Sequence, residues 1–328
     1  MLAMSDVPMI SVVIPLPDDR GYAVECLTGF TQQALDVSYE VVVATDAASY
    51  SEIAWLVDEF PQVRWVYRPG MRMNAHYNAG AEVARGKYLY ITESHCVPRR
   101  DCLQQIYDFV QRSELPVVCS ASDGLNGNYL AECEQYLFEE DFQCWVQDKK
   151  CKIAIRGTLI ERALWEQVGG FQAEFGHFSE LLIGHTLEAA GVPIGYAENS
   201  RVSHGNQVSL KPLHQELVEY GEDECRACQL LPVENRVIDP KEWGMRKELQ
   251  ENPGKLKYRQ FKAAVRQCVR ELALNYLPLS PESRLRIFRN YWQDAISQGR
   301  LQYIAGMKTE NAEIKATATP PAAYQKAA

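Results

Sequence analysis

The sequence predicts an α/β fold, a mostly parallel sheet flanked by helices, with a helical C-terminal extension. Three observations carry that expectation. Across residues 10–121, short apolar runs bounded by turn residues alternate with helical patterns, the signature of βαβ units and right-handed crossovers. The fourth such run closes on Glu93-Ser94-His95; ligands of open parallel sheets bind beyond the carboxyl ends of the strands. From Arg246 to Arg300 the chain carries 12 Lys/Arg against 5 Asp/Glu, a local +7 in a protein of net charge −9. Helical apolar stripes run through that basic segment.

The elements follow in order. Ile10–Pro15 is a buried strand ended by proline, and Asp18-Asp19-Arg20-Gly21 makes its loop. Tyr22–Ala34 is a helix with Cys26, Phe30 and Ala34 on one face. Tyr39–Ala44 is the second strand, ending in Thr45-Asp46; Ser49 caps a helix to Phe60, and Val63–Tyr67 is the third strand. A helix over Asn74–Arg85 stops at Gly86 and leads to the fourth strand, Leu89–Ile91. Asp101–Gln111 is helical and Val117–Ala121 extended.

After the turn-forming stretch 123–128 the pattern changes. Tyr129–Val146 is helical and rich in aromatic and acidic residues, and Lys152–Ile160 is extended. A short helix, Ala163–Val168, stops at Gly169-Gly170. Ser179 is placed to cap a helix to Ala190, ended by Gly191, and Ile194–Val202 is extended into Ser203-His204. Leu213 to Gln229 is helical. In Leu256–Tyr276, Phe261, Val265, Cys268, Leu272 and Tyr276 share one face, while Lys262, Arg266 and Arg270 share another. Ser280-Pro281 opens the last helix as N-cap and first-turn proline, with Leu285, Phe288, Trp292 and Ala295 as its stripe. Thr309–Ala328 has little to bury and reads as a disordered tail. There is no internal repeat.

With 46% hydrophobic and 23% charged residues the composition is that of an ordinary globular protein. No run of 18 apolar residues suggests a membrane span, and residues 1–9 do not read as a signal peptide. The ten cysteines form no compact framework, which fits reduced thiols in the cytoplasm; the lone Cys225-Arg-Ala-Cys228 lacks the second pair of a zinc site. The net negative charge argues against nucleic-acid binding.

Alternation along an extended chain turns Glu93 and His95 the same way, so a carboxylate and an imidazole can share a metal or ligand. The bland alternative is a helix N-cap and a surface histidine. Other landmarks then fall into an ordered set: Ser11-Val12-Val13-Ile14-Pro15, Tyr39 through Asp46, Tyr77-Asn78-Ala79-Gly80, Ala84-Arg85-Gly86-Lys87-Tyr88, Val168-Gly169-Gly170-Phe171 and Arg201-Val202-Ser203-His204. In this order and spacing, the chain from about Ile10 to Arg226 resembles family 2 glycosyltransferases of the GT-A (Rossmann-like) fold.

The resemblance implies an inverting transferase that moves a sugar from a nucleotide-sugar, UDP-linked in the first instance, to an acceptor hydroxyl. Glu93-Ser94-His95 falls where the family has Asp-x-Asp, the motif that holds ribose and metal. His204 falls at a further metal-ligand histidine, and Glu180 at the catalytic base. Pro15, Thr45, Asp46, Arg72, Asn78, Glu93 and Ser94 would then contact the nucleotide-sugar, Glu93, His95 and His204 a divalent metal, and Gly157 and His177 the acceptor side. Where the family has acids, this chain has Thr45, His95 and Ser179, and where it has arginine, Tyr77. Histidine is a good ligand for Mn²⁺ or Zn²⁺ and less so for Mg²⁺, so a divalent metal is expected, Mn²⁺ ahead of Mg²⁺.

The domain reading places a GT-A domain over residues 8–230, with a nucleotide-sugar half (8–122) and an acceptor half (123–230). A basic helical extension (231–308) and the tail (309–328) follow. The acceptor would be a saccharide or a lipid-linked one. The expected location is cytoplasmic, with peripheral contact at the inner membrane face open to residues 246–300. The other reading of those helices docks their apolar stripes against the body of the chain. A non-catalytic relative that binds a nucleotide or a protein partner is the alternative function. The acidic loop 16–21 speaks against a nucleotidyltransferase, which needs a basic, glycine-rich loop there.

Overall fold

The computed structural model describes residues 7–231, apart from Ser49 and Asn126, and residues 253–317. The chain divides into two compact units, residues 1–210 and 211–328.

The first unit is built on one eight-stranded sheet in the order β3-β2-β1-β4-β7-β6-β8-β5. Its first half is parallel. β1 (Ile10–Pro15) lies between β2 (Tyr39–Thr45) and β4 (Tyr88–Ile91), with β3 (Arg64–Tyr67) beyond β2. Every residue of β1 is buried, which is why it reads as a continuous apolar run rather than an alternation. Ile10, Val12 and Ile14 point into a core shared with Cys26 and Phe30 of α1 (Ala23–Thr31) and Leu103 and Ile106 of α4 (Cys102–Ser113). Val13 points to the opposite face, against Tyr77 of α3 (Met73–Val83). α2 (Ala54–Glu59) closes the edge crossover. Gly86, after α3, passes so close to β1 that a Cβ would sit 2.6 Å from the Ser11 nitrogen, so a side chain here would push the helix off the sheet.

The second half mixes directions. β7 (Thr158–Glu161) runs antiparallel between β4 and β6 (Val117–Gly124). β8 (Ile194–His204) is parallel to β6, with a bulge at Ser120/Ala121, and antiparallel to the short β5 (Cys96–Pro98). The helices between them are α5 (Tyr129–Phe142), α6 (Arg162–Val168) and α7 (Ser179–Ala189). Asn128 caps α5, its side-chain oxygen accepting from the Ala131 amide at 2.9 Å.

Several boundaries differ from the sequence reading. The helix expected over Tyr129–Val146 ends at Phe142 and passes into a π-type turn, Gln143–Asp148. Of the stretch Lys152–Ile160 only the last residues are strand; Ala154–Gly157 make a turn that drives Arg156 inward, where charge partners await it. Ser179 does not cap α7: it is the first helical residue, and its hydroxyl donates back to the Gly176 carbonyl at 2.6 Å. The expected cap at Ser49 lies outside the described residues.

The second unit holds α8 (Leu210–Leu230), α9 (Pro253–Tyr276) and α10 (Pro281–Thr317). Leu256 and Ala263 of α9 meet Cys225 of α8 and Leu301 and Ile304 of α10 in its core. The fully buried Glu224 is paired by Arg300. Gly221 and Gly299 let α8 and α10 cross backbone on backbone, since a Cβ at either would strike a carbonyl of the other helix. Ser280 caps α10 as its sequence indicates, its Oγ accepting from the Ser283 amide at 3.3 Å. α10 continues past residue 309, where a tail was expected, to Thr317; Glu, Ala, Ile and Lys there are serviceable helix formers.

The stripe of α9 is a correction. Phe261, Val265, Cys268, Leu272 and Tyr276, which periodicity suggests as core contacts, are all exposed, and Leu256, Ala263, Gln267 and Leu274 are buried instead. The stripe of α10 behaves as expected, with Phe288 and Ala295 buried.

Candidate active site

The site is set by the register of β5 on β8. That antiparallel pairing puts Cys96 opposite His204, so His95, one residue earlier, comes beside it. The two imidazole rings meet edge to face, 4.7 Å between centroids, and the Gly205 amide donates to the His95 carbonyl at 2.8 Å. Glu93, in the turn leaving β4, completes the group: Oε1 lies 3.6 Å from His95 Nε2 and Oε2 lies 3.4 Å from His204 Nε2. All three side chains are buried, and their ligand atoms lie within 4.8 Å of one another.

Hydrogen bonds fix which ring nitrogens face inward. His95 Nδ1 is 3.0 Å from the Asp18 carbonyl oxygen, which can only accept, so Nδ1 carries the proton and Nε2 a lone pair. His204 Nδ1 is 2.7 Å from the Asn206 side-chain oxygen, with the same consequence. A carboxylate and two imidazole lone pairs thus converge, and His95 Nε2 is buried without a hydrogen-bond partner among the described residues. Buried polar atoms are nearly always satisfied. A cluster of acceptors with no donor is the donor set of a divalent cation, with the outer nitrogens anchored as metal-bound histidines require. Burial holds both histidines well below the ordinary imidazole range. For His95 the Glu93 carboxylate pulls the other way while Arg20 and His204 add to the fall; for His204 Arg156 and then Arg20 add to it.

Behind the triad is a buried polar network that no motif announces. Arg156 donates to Gln135 at 2.9 Å and to Asn206 at 3.1 Å, and lies over the Phe138 ring. Glu134 lies 4.0 Å from Arg156 and 3.7 Å from Arg20, whose guanidinium also donates to the Gly205 carbonyl at 3.0 Å. Arg156 therefore braces, through Asn206, the nitrogen that orients His204. In sequence it is one arginine in an apolar stretch, and its partners come from α5 and the residues after β8.

Glu180 occupies the first turn of α7, with Lys152 3.8 Å away; Lys152 also pairs with Asp141 at 3.0 Å. Burial raises the Glu180 carboxyl to about 7, Lys152 and His177 drawing it down while Glu93 and Asp141 push it up. A half-buried His177 thus lies within electrostatic reach of Glu180, and so does Glu93. The hydroxyl of Tyr77, buried without a hydrogen-bond partner among the described residues, feels Glu93 and Glu180 as well.

The other sequence candidates divide. Pro15 and Thr45 end β1 and β2 side by side, with Asp46 exposed just beyond; the Thr45 hydroxyl accepts from the Ala47 amide at 3.1 Å. Ser94 is buried and donates to the Asp18 carbonyl at 2.8 Å. Arg72 is exposed before α3 and donates to the Glu174 carbonyl at 3.2 Å. Two further candidates have partners within the chain. Asn78 spends both ends of its amide on Phe171, donating to the carbonyl at 2.7 Å and accepting from the amide at 2.9 Å, so it clamps a loop. Gly157 is buried just before β7, against Tyr90 and Ser120.

A glycosyltransferase-like family 2 model matches residues 8–219, close to two thirds of the chain. The chain belongs to that family and is a glycosyltransferase. Among solved structures it is similar to the mannosyltransferase PcManGT from Pyrobaculum calidifontis in complex with GDP-Man and Mn²⁺, at 15% identity over 95% of this chain and 89% of that one, with a TM-score of 0.53. At that identity the likeness speaks for the GT-A fold. TarS 1-349 of S. aureus in complex with UDP is also similar, at 14% identity over 92% of this chain and 91% of that one, with a TM-score of 0.48. No curated protein sequence matches the chain significantly.

Proposed function

We propose that the protein transfers a sugar from a nucleotide-sugar, UDP-linked foremost, to an acceptor hydroxyl with inversion at the anomeric carbon. A divalent cation, Mn²⁺ rather than Mg²⁺, would assist. The observation that carries this reading is the convergence of Glu93, His95 and His204 as three buried acceptors with no donor among them. These residues would hold the cation, and two imidazoles in three ligands suit Mn²⁺ better than Mg²⁺, which prefers oxygen. Bound there, the cation would supply electrostatic stabilisation of the departing diphosphate.

Charge supports the assignment. With both histidines neutral, the group holds three carboxylates, Glu93, Glu134 and Asp18, against Arg20 and Arg156, Asp18 pairing with Arg20 at 3.2 Å. A divalent cation would leave a positive surplus, the complement of a nucleoside diphosphate. Pro15, Thr45 and Asp46 lie at the strand ends where such sheets receive nucleotides, and Arg72 and Ser94 flank them as further donor-side candidates.

Glu180 is the general base in this reading. It takes the acceptor proton as the acceptor oxygen bonds to the anomeric carbon and the bond from that carbon to the diphosphate breaks, releasing a nucleoside diphosphate. A carboxyl raised to about 7 is suited to that task, because a base works best with a pKa near the working pH. Lys152 holds the carboxylate, and His177 is placed to line the acceptor side. The acceptor is a saccharide, free or lipid-linked, and in the latter case residues 246–300 are the part that would meet an anionic membrane.

The test is release of nucleoside diphosphate from UDP- and GDP-sugars with Mn²⁺ and a panel of saccharide acceptors. GDP belongs in it because the similar mannosyltransferase was solved with GDP-Man. Transfer that needs the metal and falls in Glu180→Gln, with nucleotide binding kept, supports the reading. Transfer indifferent to both refutes it.

A further inference from the structure

α9 is amphipathic the wrong way round. Its buried side is Leu256, Ala263, Gln267 and Leu274, while Tyr258, Phe261, Val265, Val269, Leu272 and Tyr276 face outward. Phe261 is 66% exposed, Leu272 58% and Tyr276 77%. Their spacing of three and four residues puts them in one stripe about 100° wide. Large apolar residues exposed singly are ordinary, but six in one stripe are not.

What flanks the stripe identifies the occupant. α9 has six Lys/Arg and one acid, Glu271, in a protein of net charge −9. Lys255, Lys262 and Arg266 are exposed along one margin and Lys257 along the other. Lys262 lies over the Tyr258 ring at 5.5 Å, and Arg266 is paired to Asp294 of α10 at 3.1 Å. An apolar band edged by basic side chains, with aromatics within it, is the pattern of a helix lying in the headgroup region of an anionic bilayer. A second copy is a poorer occupant, because two such helices would bring like charges together. We infer that α9 is a membrane-surface helix, docking on anionic lipid through the stripe from Tyr258 to Tyr276. This deepens the lipid-linked-acceptor reading above and names the contact surface, but it does not depend on the donor site.

The experiment is flotation of the full chain with phosphatidylcholine vesicles and with vesicles that also contain phosphatidylglycerol. The expected result is binding to the anionic vesicles, weakened by salt and reduced about tenfold or more in Phe261→Ser/Leu272→Ser. Lys257→Glu/Lys262→Glu should lose the preference for anionic lipid. Both pairs lie on the surface, so their melting temperatures should match the parent's, which separates lost docking from lost folding. Vesicle binding unchanged by the serine pair, or absent altogether, would overturn the inference. So would a dimer in solution that the serine pair dissociates, since that would show a second copy on the stripe. Nucleotide-induced thermal shifts measured on the same variants keep failure of the donor reading distinct from failure of this one.

Discussion

The Oε2 atom of Glu93 lies 3.4 Å from Nε2 of His204, though the two residues leave different strands in different halves of the sheet. Nothing local brings them together. The contact exists because β5 folds back from β4 to pair antiparallel with β8, and that register fixes both side chains in space. The catalytic consequences follow from this placement.

If Glu180 is the base, Glu180→Gln should lower kcat about 10²–10⁴-fold, the range expected for a positioned proton acceptor, and leave donor KM almost unchanged. Steady-state kinetics with a soluble acceptor reads this directly. In the parent enzyme, kcat/KM should climb with pH through about 7 and level off, because the ionised carboxylate is the active form. A flat profile in the parent, or a small loss in the variant, would remove Glu180 from the mechanism.

The same group makes a stability prediction of definite sign. Its carboxyl is raised in the folded state, to about 7 from an ordinary value of 4.5, so folding favours the protonated form. The protonated carboxyl's stabilisation is complete below pH 4.5 and is lost as pH rises through about 7. Glu180→Gln should therefore unfold at higher urea than the parent at pH 8, by up to about 3 kcal/mol, with the gain disappearing toward pH 4.5. Paired denaturation curves at the two pH values decide it.

Arg156 should matter for folding before chemistry. Arg156→Met removes the donors to Gln135 and Asn206 and leaves Glu134 less well compensated in a buried place. Loss of one partner from a buried charged pair costs about 3–5 kcal/mol. Urea unfolding with a midpoint barely moved would show that the network behind His204 contributes little.

Asn78→Ala separates a loop clamp from a donor contact. Two hydrogen bonds to the Phe171 backbone should be worth about 1–3 kcal/mol together, and their loss should appear in thermal unfolding. Nucleotide affinity should stay near the parent's value. A large loss of affinity without loss of stability would return Asn78 to the donor site.

What the sequence disclosed depended on whether the signal was local. β1, β2 and β4 were legible because strands buried on both faces are apolar throughout, and Gly86 marked where the preceding helix stops. Glu93 and His95 stood out as an acid and a histidine turned the same way at a strand end, and His204 joined them only through the family resemblance. Arg156, Glu134 and Gln135 were invisible, since each looks like a surface residue until three distant segments enclose it. α9 misled for a related reason: periodicity shows that its apolar residues share a face, but not which way the face turns. There Leu256, Ala263, Gln267 and Leu274 took the inside.

The most direct test of the central claim is thermal unfolding with UDP, GDP and CDP, each with Mn²⁺, Mg²⁺ or EDTA. A ligand at about 100 times its Kd adds roughly 2.7 kcal/mol, a rise of several degrees for a protein of this size. The account predicts a Mn²⁺-dependent rise with one nucleotide, UDP first, lost in His95→Ala and in His204→Ala. No rise with any nucleotide, or a rise that survives both substitutions, would contradict it.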